Sequence, residues 1–419
     1  MRLLRYRSQI HAFARRSRSN LVVLAGILLA GCANYSSRVR EPLLWIDSGQ
    51  YDLAIDSLKK LAEKKDNDEL LYLMDLGTSY HLAGRYQEAI EAFHAAEKLA
   101  AVRDYTSLTE EAGSVLFSDE VVKYKGEDFE KLLINVYLAI DYTLLGKYED
   151  AVVEARRVNH KLDIMISKGK EPYEQNAFAK YLAAMLFEAQ DEENDAFVDY
   201  RQLLKWKGKE EVPYLAVPLL RLADRLKASQ EFEEYKKRFG GIKDFKVGKK
   251  EGEVVVILEN GKAPLKHPSE QFRLVPVFLR RFYTSQYGWL SSEGKRVKTY
   301  PLFDIERTAI KELDNRLGGI IAKKVAGVVV KQAAAVAVEK ATKSEAAGLL
   351  TALLLHGTDS ADTRSWTTLP AKLQVARLTL PAGRHEVRLD MVSTGGTAKV
   401  WNVDVKPGSL QFLHYRFRD

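Results

Sequence analysis

Cysteine is nearly missing from this 419-residue chain. The single thiol, Cys32, excludes intrachain disulfides and thiolate metal clusters. Long apolar runs are missing as well. Leu21 to Ala30 is ten residues, about half of what a bilayer-spanning helix needs. Recognisable catalytic signatures are also lacking. The histidines beyond residue 32 (His81, His94, His160, His267, His356, His385 and His414) fall at no HxxxH or HExxH spacing, and no Gly-x-Ser-x-Gly elbow or glycine-rich phosphate loop occurs. No catalytic residue, cofactor or metal is therefore expected, and the chain does not read as an enzyme. Surplus charge of one sign is only superficially present. The formal net charge is +7, but six arginines and no acid lie in the first 31 residues. The rest carries 58 Lys/Arg against 57 Asp/Glu, which removes any case for nucleic-acid binding.

Those first residues have the layout of an export signal. A basic stretch precedes the apolar run, which ends in Leu29-Ala30-Gly31-Cys32. Small side chains before a cysteine fit a peptidase cleft, and the thiol is the nucleophile for acylation. This closely matches the bacterial lipobox. The match implies a signal peptide over residues 1–31, lipidation of Cys32, and a membrane partnership through that anchor. Ala33 in place of an aspartate implies an outer-membrane location facing the periplasm.

Repeats dominate residues 33–240. Leu76, Gly77, Tyr80, Gly84, Tyr86, Ala89, Phe93 and Ala96 occupy the spacings of a tetratricopeptide repeat starting at Leu70. Gly77, Ala89 and Ala96 let two helices approach; the aromatics fill the space between them. The register recurs at Gly49/Tyr51/Ala54/Leu58, at Ala139/Tyr142/Gly146/Tyr148/Ala151, from Ala177, and in weaker form at Ala223/Leu226/Phe232. An insertion near 102–129 separates the second and third units and reads as either a binding element or a structural loop. On the geometry of such repeats, Met74, Thr78 and His81, then Val136, Ile140 and Thr143, then Phe178, Tyr181 and Met185 line the concave face. That groove suits a partner's amphipathic helix or a segment of the same chain; inter-helix core is the alternative for each residue.

Charge and pattern change near Gly240-Gly241. Residues 33–240 hold 29 Lys/Arg and 39 Asp/Glu, residues 241–419 hold 29 and 18, so the two halves differ in sign. Residues 241–303 read as a strand-containing connector with a buried strand at Glu253–Leu258. Residues 304–356 read as a packed helical hairpin, interrupted by Lys323, Lys324 and Lys331. Asp362 to Trp366 forms a polar-aromatic cluster that anchors a linker or binds a ligand. Residues 362–419 read as a small antiparallel β-sandwich, or half of one, of four alternating segments. The expected fold class is α+β: an N-terminal superhelix of TPR-like repeats, then a mixed helical and β-sandwich region. The Ala-rich helices at Leu317–Leu355 are the candidates to dock in the groove, assisted by opposite charge.

The lipobox, the Leu70–Ala96 repeat, and the stretches DYTSLTEEAG, GEDFEKLLINVYLAIDY, DTRSWTTLP and VARLTLPAG together resemble a poorly characterised family of bacterial tetratricopeptide-repeat outer-membrane lipoproteins with a C-terminal β-module. That family brings no agreed activity; the function expected is a lipid-anchored periplasmic scaffold for protein partners of the envelope, with regulation of cell-wall synthesis as one process it serves. The alternative is an accessory assembly lipoprotein of a secretion, pilus or surface-polysaccharide system.

Overall fold

The computed structural model describes residues 35–110, 122–167, 176–208, 212–240, 242, 245–357, 360–392 and 398–418. The expected leader, Cys32 and the middle of the 102–129 insertion lie outside these residues. The chain divides into compact units at Glu41/Pro42. Of the first, the described part is the start of helix α1 (Tyr35–Asp47). The second, Pro42–Asp419, carries everything that follows.

Its helical array continues from α1 through α2 (Tyr51–Ala62), α3 (Glu69–Leu82), α4 (Tyr86–Glu110), α5 (Asp128–Leu144), α6 (Tyr148–Ser167), α7 (Ala177–Ala189), α8 (Glu193–Lys207), α9 (Pro213–Arg225) and α10 (Ser229–Phe239). Five tight turns join these helices in pairs, and all five have the same construction. Gly49, Gly84, Gly146, Asp191 and Lys227 adopt positive φ. In each case the next N–H donates to the carbonyl five residues back, as from Gln50 to Trp45 and from Arg85 to Tyr80. The last two turns use Asp and Lys where glycine would be unstrained, so the repeat signal fades towards the end of the array while the geometry persists. Close packing within a pair is real. A Cβ on Gly77 would stand 2.6 Å from the Phe93 ring.

The second half is a two-layer β-structure with a helical insertion. One sheet has the order β10-β1-β7-β6, from β1 (Glu251–Asn260), β6 (Tyr300–Asp304), β7 (Lys372–Pro381) and β10 (Leu410–Phe417). The other has the order β5-β4-β8-β9, from β4 (Gly288–Ser292), β5 (Lys295–Lys298), β8 (Gly383–Met391) and β9 (Ala398–Val405). β2 (Leu265–Pro268) and β3 (Pro276–Leu279) pair separately. A single core joins the two large sheets, with Val254, Val256 and Leu258 of β1 against Leu290, Val387, Leu389 and Val403. The pairing of β1 with β10 is parallel; the other pairings are antiparallel.

This corrects the division into a connector (241–303) and a separate four-strand module (362–419). Strands β7 to β10 alone cannot build the two layers, because β7 and β10 share a sheet without pairing with each other. The earlier segment supplies β1 between β7 and β10, and β4 beside β8. The helical hairpin, α11 (Ile305–Thr342) and α12 (Glu345–Gly357), is an insertion between neighbouring strands β6 and β7. No helix among the described residues is long and apolar enough to cross a membrane.

Strand β1 explains its own composition. Successive side chains point to opposite faces. Val254, Val256 and Leu258 face the sandwich core, while Glu253 and Glu259, on the other face, bond to helices of the array. Both faces are buried, hence the unbroken run Val254–Leu258.

Candidate functional site

The concave face of the array is where the two halves of the unit meet. Helix α3 supplies Met74, Thr78 and His81; α5 supplies Val136, Ile140 and Thr143; α7 supplies Phe178, Tyr181 and Met185. All nine are buried. None is offered to an outside partner, so of the alternatives for this face the partner's helix gives way to a segment of the same chain or inter-helix core. The covering layer is also not the one expected. Helices α11 and α12 stay out of the groove; past Leu313 the buried residues of α11 are Gly327, Lys331 and Ala335, spaced by fours. Gly348 of α12 lies against Ala335 and Glu339 of that stripe. The groove is filled by the segment Asp362–Leu369 and by β1 and β10.

Trp366 is the centre of this plug. It is 1% exposed, and its ring lies 5.8 Å from Phe93 and 5.5 Å from Tyr137. Its indole N–H donates to the hydroxyls of Thr78 (3.1 Å) and Thr368 (2.9 Å), and Thr368 in turn donates to Asp75 (2.8 Å). Its backbone N–H donates to Glu130 (2.6 Å), which also accepts from the Tyr124 hydroxyl (2.6 Å). Arg364 bonds Asp68 (3.0 Å), Asp362 and the Val122 carbonyl. The Asp362–Trp366 cluster therefore anchors the chain. Burial, then the neighbouring Glu127, pushes the Glu130 carboxyl up to about 7.

Two charged clusters fix the ends of β1 to the array. At one end Arg221 of α9 bridges Glu188 (2.7 Å) and Glu253 (3.0 Å), and Arg377 of β7 joins the same two carboxylates. At the other end His81 meets three groups. Its Nδ1 lies 2.5 Å from Asp141 Oδ1, and its Nε2 lies 2.8 Å from Glu259 Oε1 and 3.1 Å from His414 Nε2. The Glu259 Oε1 to His414 Nε2 distance is 3.1 Å. Tyr137 and Arg416 donate to the other oxygen of Glu259. Burial alone would lower the His81 pKa; Asp141 and Glu259 outweigh it and raise it to about 10. Burial and His81 lower His414 to about 4.

Sequence reasoning placed His81 on the concave face but missed its partners, which lie 60, 178 and 333 residues away. One signal was available. Glu259 follows the apolar run Val254–Leu258 on the face opposite its core residues, and a carboxylate buried there requires a partner. The remaining groove positions are satisfied inside the array: Thr143 donates to the Ala139 carbonyl and Tyr181 to the Tyr214 carbonyl.

Outside the groove, a cleft of about 930 Å³ lies between α4, α5 and α6, lined by His94, Glu97, Tyr105, Lys131 and Lys161 among others. The base of the hairpin forms another charged cluster. Glu312 of α11 accepts from the backbone N–H groups of Asp128 (2.8 Å) and Phe129 (2.9 Å), and so caps α5, while Lys266 and Arg316 both pair with Glu127.

No protein-family profile and no curated protein matches this sequence. Solved structures similar to it are repeat proteins. The nearly identical TPR-like repeats of a kinesin light chain from Podosopora anserina show 16% identity and a TM-score of 0.34, over 48% of this chain and 92% of that one. MamA from Desulfovibrio magneticus RS-1 shows 14% identity and a TM-score of 0.32, over 48% and 92%. A tetratricopeptide repeat protein from Parabacteroides merdae shows 17% identity and a TM-score of 0.33, over 49% and 65%. The TPR-like character of the array rests on its own five turns and helix pairs, which these proteins resemble across about half of the present chain.

Proposed function

We propose that this protein is a lipid-anchored interaction scaffold of the bacterial envelope that engages its partner through the α11–α12 hairpin and not through the concave groove. One observation carries the reading. Beyond its base, where Arg316 pairs with Glu127 and Lys324 donates to the Ser360 carbonyl, the hairpin presents Val325, Val328, Val329 and Val330 of α11, with Leu349 and Leu350 of α12, to solvent; Ile321 is exposed within the base. Val325, Val329 and Leu349 are 60%, 64% and 64% exposed. Contiguous aliphatic surface of this kind marks an interaction site, and α11, with its 38 residues, reaches about 57 Å at 1.5 Å per residue. The lipobox at Leu29–Cys32 supplies the anchor in this reading, and periplasmic cell-wall synthases are the first partner class to try.

A photo-crosslinking residue at Val329 in cells tests the first part. A discrete protein adduct that disappears when Val325→Lys is added supports the scaffold reading; labelling of lipid alone, or of nothing, refutes it. The anchor is tested separately. Cys32→Ser should leave the chain unlipidated and outside the outer-membrane fraction, and a Ser variant that still fractionates there after cleavage would end the anchoring claim.

A further inference from the structure

We propose that His81, Glu259 and His414 form a zinc site that staples the β-sandwich into the groove of the helical array. Three potential ligand atoms, His81 Nε2, Glu259 Oε1 and His414 Nε2, stand at the corners of a nearly equilateral triangle with sides of 2.8, 3.1 and 3.1 Å. A point equidistant from the three in their plane is about 1.7 Å from each. A zinc ion at its usual ~2.0–2.1 Å from nitrogen and oxygen therefore sits about 1 Å above the plane, in tetrahedral fashion, with one position left for a fourth ligand. Two imidazoles and one carboxylate are the donor set of many zinc sites with an open position.

The surroundings have the outer arrangement that such a site needs. Asp141 Oδ1 stands against His81 Nδ1, which holds the proton on that nitrogen and leaves Nε2 turned towards Glu259 and His414. Tyr137 and Arg416 occupy the second oxygen of Glu259, so Oε1 is the one presented to the histidines. His81 and Glu259 are fully buried, and His414 is nearly so. Hydrogen bonding alone fills the triangle with a single proton on His81 Nε2, shared between Glu259 Oε1 and the lone pair of a neutral His414 Nε2. A divalent cation in place of that proton is held by all three atoms. Binding links α3, β1 and β10, elements that no covalent cross-link joins, so metal affinity becomes docking affinity. The competing occupant of the same space is a proton on His81, paired with Asp141 and Glu259.

The full chain, purified in detergent and dialysed, separates the two. The zinc reading expects one retained equivalent of zinc per chain by elemental analysis. It also expects a visible tetrahedral spectrum when Co2+ replaces zinc, and a thermal midpoint that falls on chelation. His414→Ala should lose the equivalent and the chelator effect together. Asp141→Asn, which alters a positioning residue and no ligand, should weaken binding by roughly 10–100-fold while keeping the Co2+ spectrum. Co2+ titration of the unsubstituted chain decides the matter even if His414→Ala fails to fold. No retained metal and no Co2+ spectrum would overturn the proposal in favour of the protonated cluster. Equal zinc in the wild type and in a folded His414→Ala variant would also overturn it, by placing the metal elsewhere.

Discussion

Replacing Trp366 by alanine tests whether the plug holds the two halves together. The ring is 1% exposed, contacts Phe93 and Tyr137, and donates to Thr78 and Thr368. Truncating a buried tryptophan to alanine removes about 3–5 kcal/mol, through lost transfer energy and the cavity left behind. The unit Pro42–Asp419 has an unfolding entropy near 0.8 kcal/mol/K at ~2.1 cal/mol/K per residue, so the thermal midpoint should fall by about 4–6 °C. Trp366→Phe dissects the effect. It keeps most of the ring volume and removes the indole donor, leaving two threonine oxygens short of one bond, for about 1 kcal/mol. Calorimetry measures both variants, and hydrogen exchange locates the change. Amides of α3 and α5 should lose protection in the alanine variant before those of α8. An unchanged midpoint in Trp366→Ala would refute the reasoning. Equal losses in the two variants would show that the hydrogen bonds, and not the ring, hold the segment in place.

Three further outcomes are expected. Glu130, unfolded near 4.5 and folded near 7, favours its protonated form in the native state. Its contribution is therefore full below about pH 4.5 and lost as pH rises towards 7, about 3 kcal/mol in all at 1.36 kcal/mol per unit; urea titrations across pH should show a flatter profile for Glu130→Gln, and parallel profiles would contradict the assignment. Arg377→Met leaves Glu253 and Glu188 sharing Arg221 alone, and should destabilise by about 3–5 kcal/mol in chemical denaturation; a neutral effect would mean the cluster relaxes into solvent. Gly77→Ala places a methyl 2.6 Å from Phe93 and should cost roughly 1–3 kcal/mol, recovered in part by Phe93→Leu; no recovery in the double variant would put the strain elsewhere.

Local pattern carried the helical half. Small residues at Gly77, Ala89 and Ala96, and turn glycines at 49, 84 and 146, are nearest-neighbour requirements of a helix pair, so they are written at fixed spacing. The strands β7 to β10 were legible for the same reason, since alternation such as Val387/Leu389/Met391 is a property of one strand. Partnering was not. Which strand lies beside β1 depends on β10, some 150 residues on, and on an antiparallel match with β7 that no short-range spacing encodes. The groove failed for a related reason. Its residues looked like an apolar surface awaiting a helix, whereas the occupant is an eight-residue segment built around one tryptophan and backed by a strand that carries glutamates on its array face. Net charge did not foretell how the halves join: the pairs between them include buried ones such as Arg221–Glu253, in which the acidic array supplies the cation.

The distance along the chain between His81 and His414, 333 residues, has a consequence for how this molecule is made. Synthesis proceeds from the N-terminal side, and domains fold in that order. The helices, with mainly local contacts, can form early. Their concave face then stays uncovered until Trp366 and β10 arrive. During that interval Phe93, Tyr137 and His81, which pack against Trp366 and His414 in the finished protein, lack their cover. A chain stopped near residue 240 would keep that surface permanently. Such a fragment should be sticky and prone to self-association even though its helices are well formed, because the cover for its concave face is encoded in a distant segment of the same chain.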